Sequence, residues 1–265
     1  MIAKTLVHHQ HRSRPPKVTA PTTESTLHSF PFPHHTGEYP EHFDDARREE
    51  TWLALLDASR RSHPQRFRYY LRCKRGFDIA VAAMAIVAFS PVFALAALAI
   101  WSESRGPIIF RQTRIGKDGK IFTMYKFTTM ISDRRRTLRS YYGPERRVTH
   151  KTKTDPRVTR VGKFLRRTSI DELPQLFNVL RGEMSLVGPR PELPQIVERY
   201  APWQHLRHRV QPGMTGWWQV QGRSDLPMHE HTELDLYYVV HQSFTLDLRI
   251  LFHTTRAVLR RSGAF

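Results

Sequence analysis

Residues 169–192 read SIDELPQLFNVLRGEMSLVGPRPE and set two adjacent carboxylates, Asp171 and Glu172, at the start of a short apolar run. Arg166 and Arg167 lie just before them, and Arg190 follows between two prolines. Two readings fit these residue types. Ser169 and Glu172 have capping-box spacing, and acids in a first helical turn are favoured by the helix dipole, so local structure alone accounts for the pair. Pro174 bears on where such a helix starts. With Ser169 as cap it falls at the fifth helical position and removes a backbone bond, whereas with Asp171 as cap it falls in the first turn, where none is lost. The other reading is phosphoryl transfer, which needs carboxylates to hold a metal, a carboxylate able to attack phosphorus and guanidinium groups to stabilise developing charge. Spacing leaves both open.

The rest of the chain supplies the setting for such chemistry. Its 265 residues carry 42 Lys+Arg against 24 Asp+Glu, a formal charge of +18. That excess asks for an anionic partner: nucleic acid, an anionic membrane surface or a phosphorylated small molecule. Cys73 is the only cysteine, which excludes an internal disulfide and fits a reducing compartment. Residues 1–60 are rich in His, Pro, Ser and Thr without sustained apolar periodicity and are expected to be largely disordered. Eight of the fifteen histidines fall in residues 1–63, but at spacings that fit no compact metal-ligand set. Within this stretch, EHFDDARREETWLALLDASRR (41–61) has the pattern of one short amphipathic helix.

From Ile79 to Trp101 the chain carries no charge, and this 23-residue run is long enough to cross a hydrocarbon core as helix. It lies too far from the start to be a signal peptide. Ser90-Pro91 interrupts it at the midpoint, and both flanks are basic: Arg66, Arg68, Arg72, Lys74 and Arg75 before, Arg105, Arg111 and Arg114 after. Two basic flanks favour the same side of a membrane. A bent segment that enters and leaves through one leaflet satisfies both, with the serine hydroxyl bonding a carbonyl freed by the proline; a kinked single span is the alternative. FRYYLRCKR, just ahead, interleaves aromatics with bases as single-stranded nucleic-acid binders do, but beside an apolar run it has the character of an interfacial anchor.

Past the apolar run, GPIIFRQTRIGKDGKIFTMYKF (106–127) predicts a β-hairpin turning at GKDG. A basic loop over 131–154 follows, and DPRVTRVGKFLRRTS (155–169) predicts a turn and then a basic helix that brings Arg166 and Arg167 to the acids. VQPGMTGWWQVQGR (210–223) suits a loop lining a pocket. LDLYYVVHQSFTLDLRILFHTTRAVL (234–259) predicts one amphipathic helix packing back on the protein or lying on the membrane.

From about Lys74 to Phe265 the chain resembles the bacterial sugar transferases, the monotopic polyprenyl-phosphate hexose-1-phosphate transferases, and among them the exopolysaccharide-initiating members. The resemblance is carried by KRGFDIA, the apolar run with its Ser-Pro break, the hairpin sequence, DPRVTRVGKFLRRTSIDELPQLFNVLRGEMSLVGPRPE, PGMTGWWQVQGR and LDLYYV, in that order. It implies an enzyme that moves a sugar 1-phosphate from a nucleotide diphosphate sugar, UDP-hexose by preference, to polyprenyl (undecaprenyl) phosphate, with Mg²⁺. By that resemblance Asp171 is the nucleophile forming an aspartyl-phosphate-type intermediate, and Glu172 supports metal and substrate. Arg166 and Arg190 contact phosphate, Lys126 corresponds to the lysine of a KFR[ST]M motif, and Arg157 and Arg223 are further phosphate-binding candidates. One position departs: the motif reads KFTTM here, with Thr128 where the family usually has arginine. Threonine offers neither the charge nor the forked grip, so either a nearby base such as Arg134 substitutes or activity and substrate are altered.

The expected fold class is α+β, mainly helical: a monotopic membrane protein with a re-entrant helix-break-helix segment, a β-hairpin and amphipathic interfacial helices. The expected organisation is a tail over 1–60, a basic anchor and re-entrant helix over 61–105 with its membrane break at Ser90 and Pro91, and a catalytic domain over 106–265 on the cytoplasmic face of a bacterial inner membrane. Polyprenyl phosphate, a nucleotide diphosphate sugar and the bilayer are the expected partners; nucleic acid is not, and self-association is left open. The rival reading is a non-catalytic membrane-attached scaffold or regulator with an altered KFTTM site.

Overall fold

A computed structural model describes residues 45–131, 157–221 and 231–259, all within one compact unit, Phe43–Phe265. Residues 1–44 of the tail expected over 1–60, the basic loop after Ile131, Arg134 and Arg223 lie outside the described residues.

Helix α1 spans Asp45–Ser62. Sequence reasoning grouped most of it with the tail, but it buries Leu56 in the main core, and its Asp45 accepts a bond from the Trp203 indole at 3.0 Å. A single apolar stripe of Trp52, Leu53 and Leu56 is enough to fix it there. Helices α2 (Pro64–Ala88) and α3 (Ser90–Ser104) meet at a 60° bend. Among the described residues no single helix is long and apolar enough to cross a membrane, whereas this bent pair passes by length and composition. Pro91 falls in the first turn of α3, where its missing N–H costs no intrahelical bond, and the Ser90 hydroxyl donates to the Val87 carbonyl at 2.8 Å.

The start of α2 is tied to the body by side chains that sequence reasoning counted among the membrane flanks. Lys74 Nζ lies 2.9 Å from Asp247, and Arg75 donates to the Val179 and Leu180 carbonyls at 2.6 and 2.9 Å. Nearby, Asp78 accepts from the Leu186 amide at 3.2 Å. These groups fix the angle at which the apolar pair leaves the protein.

Strands β1 (Ile109–Ile115) and β2 (Ile121–Phe127) form the expected antiparallel hairpin, in register from Ile109 opposite Phe127 to Ile115 opposite Ile121. Its turn uses positive φ at Asp118 and Gly119, as the GKDG sequence allows. Helix α4 (Arg160–Arg167) and helix α5 (Gln175–Arg181) flank the acids, and β3 (Ser185–Val187) follows. Next come the short helix α6 (Pro194–Val197), a 3₁₀ segment over Pro202–Arg209 and β4 (Gly213–Thr215), which pairs with β3 in parallel. Helix α7 (Trp217–Gln221) comes after it. The single helix expected over 234–259 is two, α8 (Thr232–Val240) and α9 (Phe244–Leu259). The break lets Tyr238 on α8 and Tyr70 on α2 both donate to Asp247 near the start of α9.

Two apolar cores result. The larger gathers α1, α2, β2, α5, β3, the 3₁₀ segment, α8 and α9. The smaller, built on Ala96, Ile100, Phe127 and Leu165, joins α3 to the hairpin and to α4. The fold is thus mainly helical with a small antiparallel hairpin, as the sequence implies, with the parallel pair β3–β4 as an addition.

Candidate active site

The acidic pair sits on a 3₁₀ turn, Ile170–Glu172, and stands at neither helix start's cap position, which Ser169 and Pro174 occupy. Ser169 takes a left-handed conformation (φ 58°) and makes no side-chain cap bond, so the capping box fails. Asp171 is not the cap of the next helix either: α5 begins only at Gln175, after Pro174. The proline accounts for this, because the chain can use it without losing a bond only at or before the first helical turn. Glu172 Oε1 accepts from Lys126 Nζ at 2.6 Å and from Arg190 Nη2 at 3.2 Å. The Glu172 carboxylate holds the Arg190 guanidinium above its ordinary pKa, against the opposing effect of burial.

Each cation is placed by its own element. Lys126 is near the end of β2. Arg166 is on the last turn of α4 and donates from Nε to the Thr129 hydroxyl at 2.9 Å. That contact depends on Gly162, since a Cβ there would lie 2.1 Å from the Thr129 carbonyl oxygen. The first turn of α4 is held from two sides: Thr159 accepts from the Gly162 amide at 2.8 Å, and Glu103, at the end of α3, accepts from the Arg160 and Val161 amides at 2.8 and 2.9 Å. Arg190 lies on the loop after β3. Arg207 donates to the Arg190 carbonyl at 2.8 Å and Arg114 to the Pro191 carbonyl at 2.9 Å. Burial, helped by the neighbouring charge of Arg190, lowers the Arg114 pKa to about 10. Three glycines lock the same loop against β4: a Cβ on Gly213 or Gly216 would come within 2.1 or 2.3 Å of Gly188 backbone, and one on Gly188 within 2.3 Å of the Gln211 carbonyl.

The acids and the cations Lys126, Arg166 and Arg190 open on one cleft of about 1280 Å³. It is lined by Lys126, Arg157, Arg166, Asp171, Glu172 and Arg190, so every expected polar site residue within the described part of the chain meets there. Sequence reasoning brought Arg167 to the acids without giving it a role, and missed Thr129, Trp218, Gln219 and the apolar wall from α9, including Leu251 and Val258. Of these only Trp218 and Gln219 had a signal, lying in the stretch expected to line a pocket. Thr128 also faces the cleft, with its hydroxyl buried and unpaired. Among the described residues no group of three or more His, Cys, Asp or Glu is arranged to hold a metal. Two adjacent carboxylates still suit Mg²⁺, which commonly binds through one or two carboxylates and completes its shell with water and substrate phosphate.

A cleft that sets paired acids against lysine and arginines has the charges to hold a phosphate group and stabilise charge developing on it. The comparisons are specific: the model of the bacterial sugar transferase family matches residues 69–261, and the chain belongs to that family. It is 41% identical over 201 residues to an undecaprenyl-phosphate galactose phosphotransferase of Salmonella typhimurium, covering 72% of this chain and 41% of the relative. Identity is 43% over 207 residues with an undecaprenyl-phosphate glucose phosphotransferase of Komagataeibacter xylinus, covering 72% and 37%. With the exopolysaccharide production protein ExoY of Sinorhizobium fredii it is 40% over 198 residues, covering 72% and 88%. The chain therefore spans about two-fifths of the length of the first two relatives and most of the third.

Proposed function

We propose that the protein transfers a sugar 1-phosphate from a UDP-hexose to polyprenyl phosphate, with Asp171 as nucleophile. The observation that carries this reading is the acid pair itself: it stands at neither N-cap position beside it and opens on the same cleft as six cationic side chains, Arg111, Lys126, Arg157, Arg166, Arg167 and Arg190. In the first half-reaction an Asp171 oxygen attacks the phosphorus bearing the sugar. The bond from that phosphorus to the bridging oxygen breaks, and UMP leaves with the electron pair. In the second, an oxygen of polyprenyl phosphate attacks the same phosphorus and Asp171 departs as carboxylate. Arg166, Arg190 and Lys126 balance the charge on the phosphates, and Arg157 adds to that set. Asp171 and Glu172 would hold Mg²⁺ with the donor phosphates, which would neutralise the leaving diphosphate oxygen. Since Glu172 already pairs with Lys126 and Arg190, those cations shift toward the phosphates when the donor enters.

The bent helix pair is the re-entrant membrane element in this reading. Met84, Val87, Leu95, Leu98 and Trp101 are all exposed, a density of bare apolar side chains that suits lipid. The cleft then lies at the cytoplasmic surface of the inner membrane, where a lipid-linked acceptor presents its phosphate.

Membranes holding the protein, incubated with polyprenyl phosphate and a panel of labelled nucleotide sugars, should move label into the lipid phase. Without acceptor, UMP should be released and label should stay on wild-type protein but not on Asp171→Asn. Chelation of Mg²⁺ should stop release. Binding without transfer from any donor would favour the scaffold reading. Cysteines placed at Glu50 and His150, in a Cys73→Ser background, should both be protected from an impermeant reagent in intact cells; opposite accessibility would mean a full span.

A further inference from the structure

Buried polar atoms in folded proteins nearly always have partners, so unpaired ones gathered at one place need an explanation. Three stand at the cleft: Thr128 Oγ1, Trp218 Nε1 and Gln219 Oε1 are withdrawn from solvent without a hydrogen-bond partner among the described residues, and all three residues line the cavity. Trp218 is only 9% exposed. The Gln219 amide is oriented by its own donor, Nε2, which reaches the Met214 carbonyl at 3.3 Å and leaves Oε1 as the idle acceptor. The set is chemically mixed: an indole that only donates, an amide oxygen that only accepts, and a hydroxyl that does either.

Their placement is equally specific. Thr128 follows Lys126 by two residues, and its amide donates to the Ile108 carbonyl at 2.9 Å, continuing the hairpin ladder. Strand alternation therefore sends it to the face from which Lys126 reaches Glu172. Trp218 and Gln219 line the same cleft from α7, and the chain just before that helix is held by the close approach of Gly213 and Gly216 to Gly188, two residues before Arg190.

We propose that Thr128, Trp218 and Gln219 read the hydroxyl groups of the donor's hexose. This rests on the transfer reading above, in which the hexose hangs from the phosphorus that Asp171 attacks and so lies one group away from the acids. A sugar ring matches a mixed set because each hydroxyl accepts and donates at once, taking the indole N–H while giving its own proton to the amide oxygen. Thr128 then has a role that arginine could not fill: a short neutral group leaves room for a ring where a guanidinium would occupy it. The set is a means of selecting among epimers, since a site built to bond a hydroxyl penalises a donor that lacks it or points it elsewhere.

The test uses the full-length protein in membranes and three variants that delete the polar group in question: Trp218→Phe, which loses the indole N–H, Gln219→Met, which loses the whole amide with its bond to the Met214 carbonyl, and Thr128→Val, which loses the hydroxyl. Each is assayed with UDP-glucose, UDP-galactose and their monodeoxy analogues, and each is titrated by equilibrium binding with UDP, UMP and the preferred UDP-hexose. The expected result is a loss of about 10-fold to 100-fold in kcat/KM for the preferred hexose in at least one variant. That variant should show no further loss on the deoxy analogue lacking the matched hydroxyl, and unchanged UMP binding. Unchanged epimer discrimination in all three variants would overturn the proposal. So would an equal weakening of UMP, which would assign the atoms to the nucleobase. If wild-type protein transfers nothing, the transfer reading fails, and binding decides this one separately. UDP-hexose bound more tightly than UDP by wild type but not by the variants supports it, and equal binding refutes it.

Discussion

Two carboxylates in this molecule are paired with cations to very different ends. Asp247, on α9 and facing α2, accepts from Lys74, Tyr70 and Tyr238 at 2.8–2.9 Å, and its side chain is 4% exposed. Both oxygens are used, and Asp247 does not line the cleft. Glu172 also holds two cations, Lys126 and Arg190, but its side chain is 24% exposed and faces the cleft with Asp171 beside it. An acid among bases is therefore not in itself a site. What separates the two is closure: at Asp247 the bonds are complete and the group is a rivet, whereas at Glu172 the cations can exchange one anion for another.

Substitutions can break this comparison or sharpen it. The largest effect is expected for Asp171→Asn, which keeps size and polarity but removes the attacking charge: transfer should fall by about 10⁴-fold or more, with thermal stability shifted by no more than about 1 kcal/mol. If the two regions differ as described, Asp247→Ala should do the opposite. It leaves Lys74 charged and buried, and should lose about 3–5 kcal/mol of stability, read as a lowered unfolding midpoint in detergent. Arg190→Lys tests whether the fork or only the charge matters, and transfer should drop by about 10²-fold while the midpoint barely moves. The smallest effect belongs to the exposed pair on α1, Arg61 and Asp57, at 3.2 Å. Asp57→Asn should change stability by less than about 0.5 kcal/mol, because solvent screens such a pair.

How far the site could be read beforehand follows the range of the forces involved. The hairpin, the helix before the acids and the break at Ser90-Pro91 were legible because turn chemistry and proline sterics act within a few residues. The meeting of Lys126, Arg157, Arg166, Asp171, Glu172 and Arg190 followed from the family resemblance, not from spacing. Ser169 and Glu172 have capping-box spacing, which left capping open beside chemistry until the structure showed the helix start moved past both, to the position after Pro174. The inward use of Lys74 and Arg75 was hidden, since a base beside an apolar run looks the same whether it faces headgroups or an aspartate 173 positions away. The split between α8 and α9 was missed for a similar reason, the apolar pattern being continuous across it. Nothing in the local sequence marked Glu103 as a partner of α4.

That last contact gives the apolar pair a further meaning. Glu103 closes the 15-residue helix α3, about 22 Å long, and grips the first amides of the helix that ends in Arg166. Helix α3 therefore behaves as a gauge block: its length, more than the identity of its outward side chains, sets where the arginine stands. One residue inserted after Pro91 would turn Glu103 by about 100° and advance it by about 1.5 Å, out of line with both amides. Exchanges among Leu95, Leu98 and Trp101 leave that dimension untouched. Drift in this chain is thus tolerated in composition along α3 and resisted in residue number.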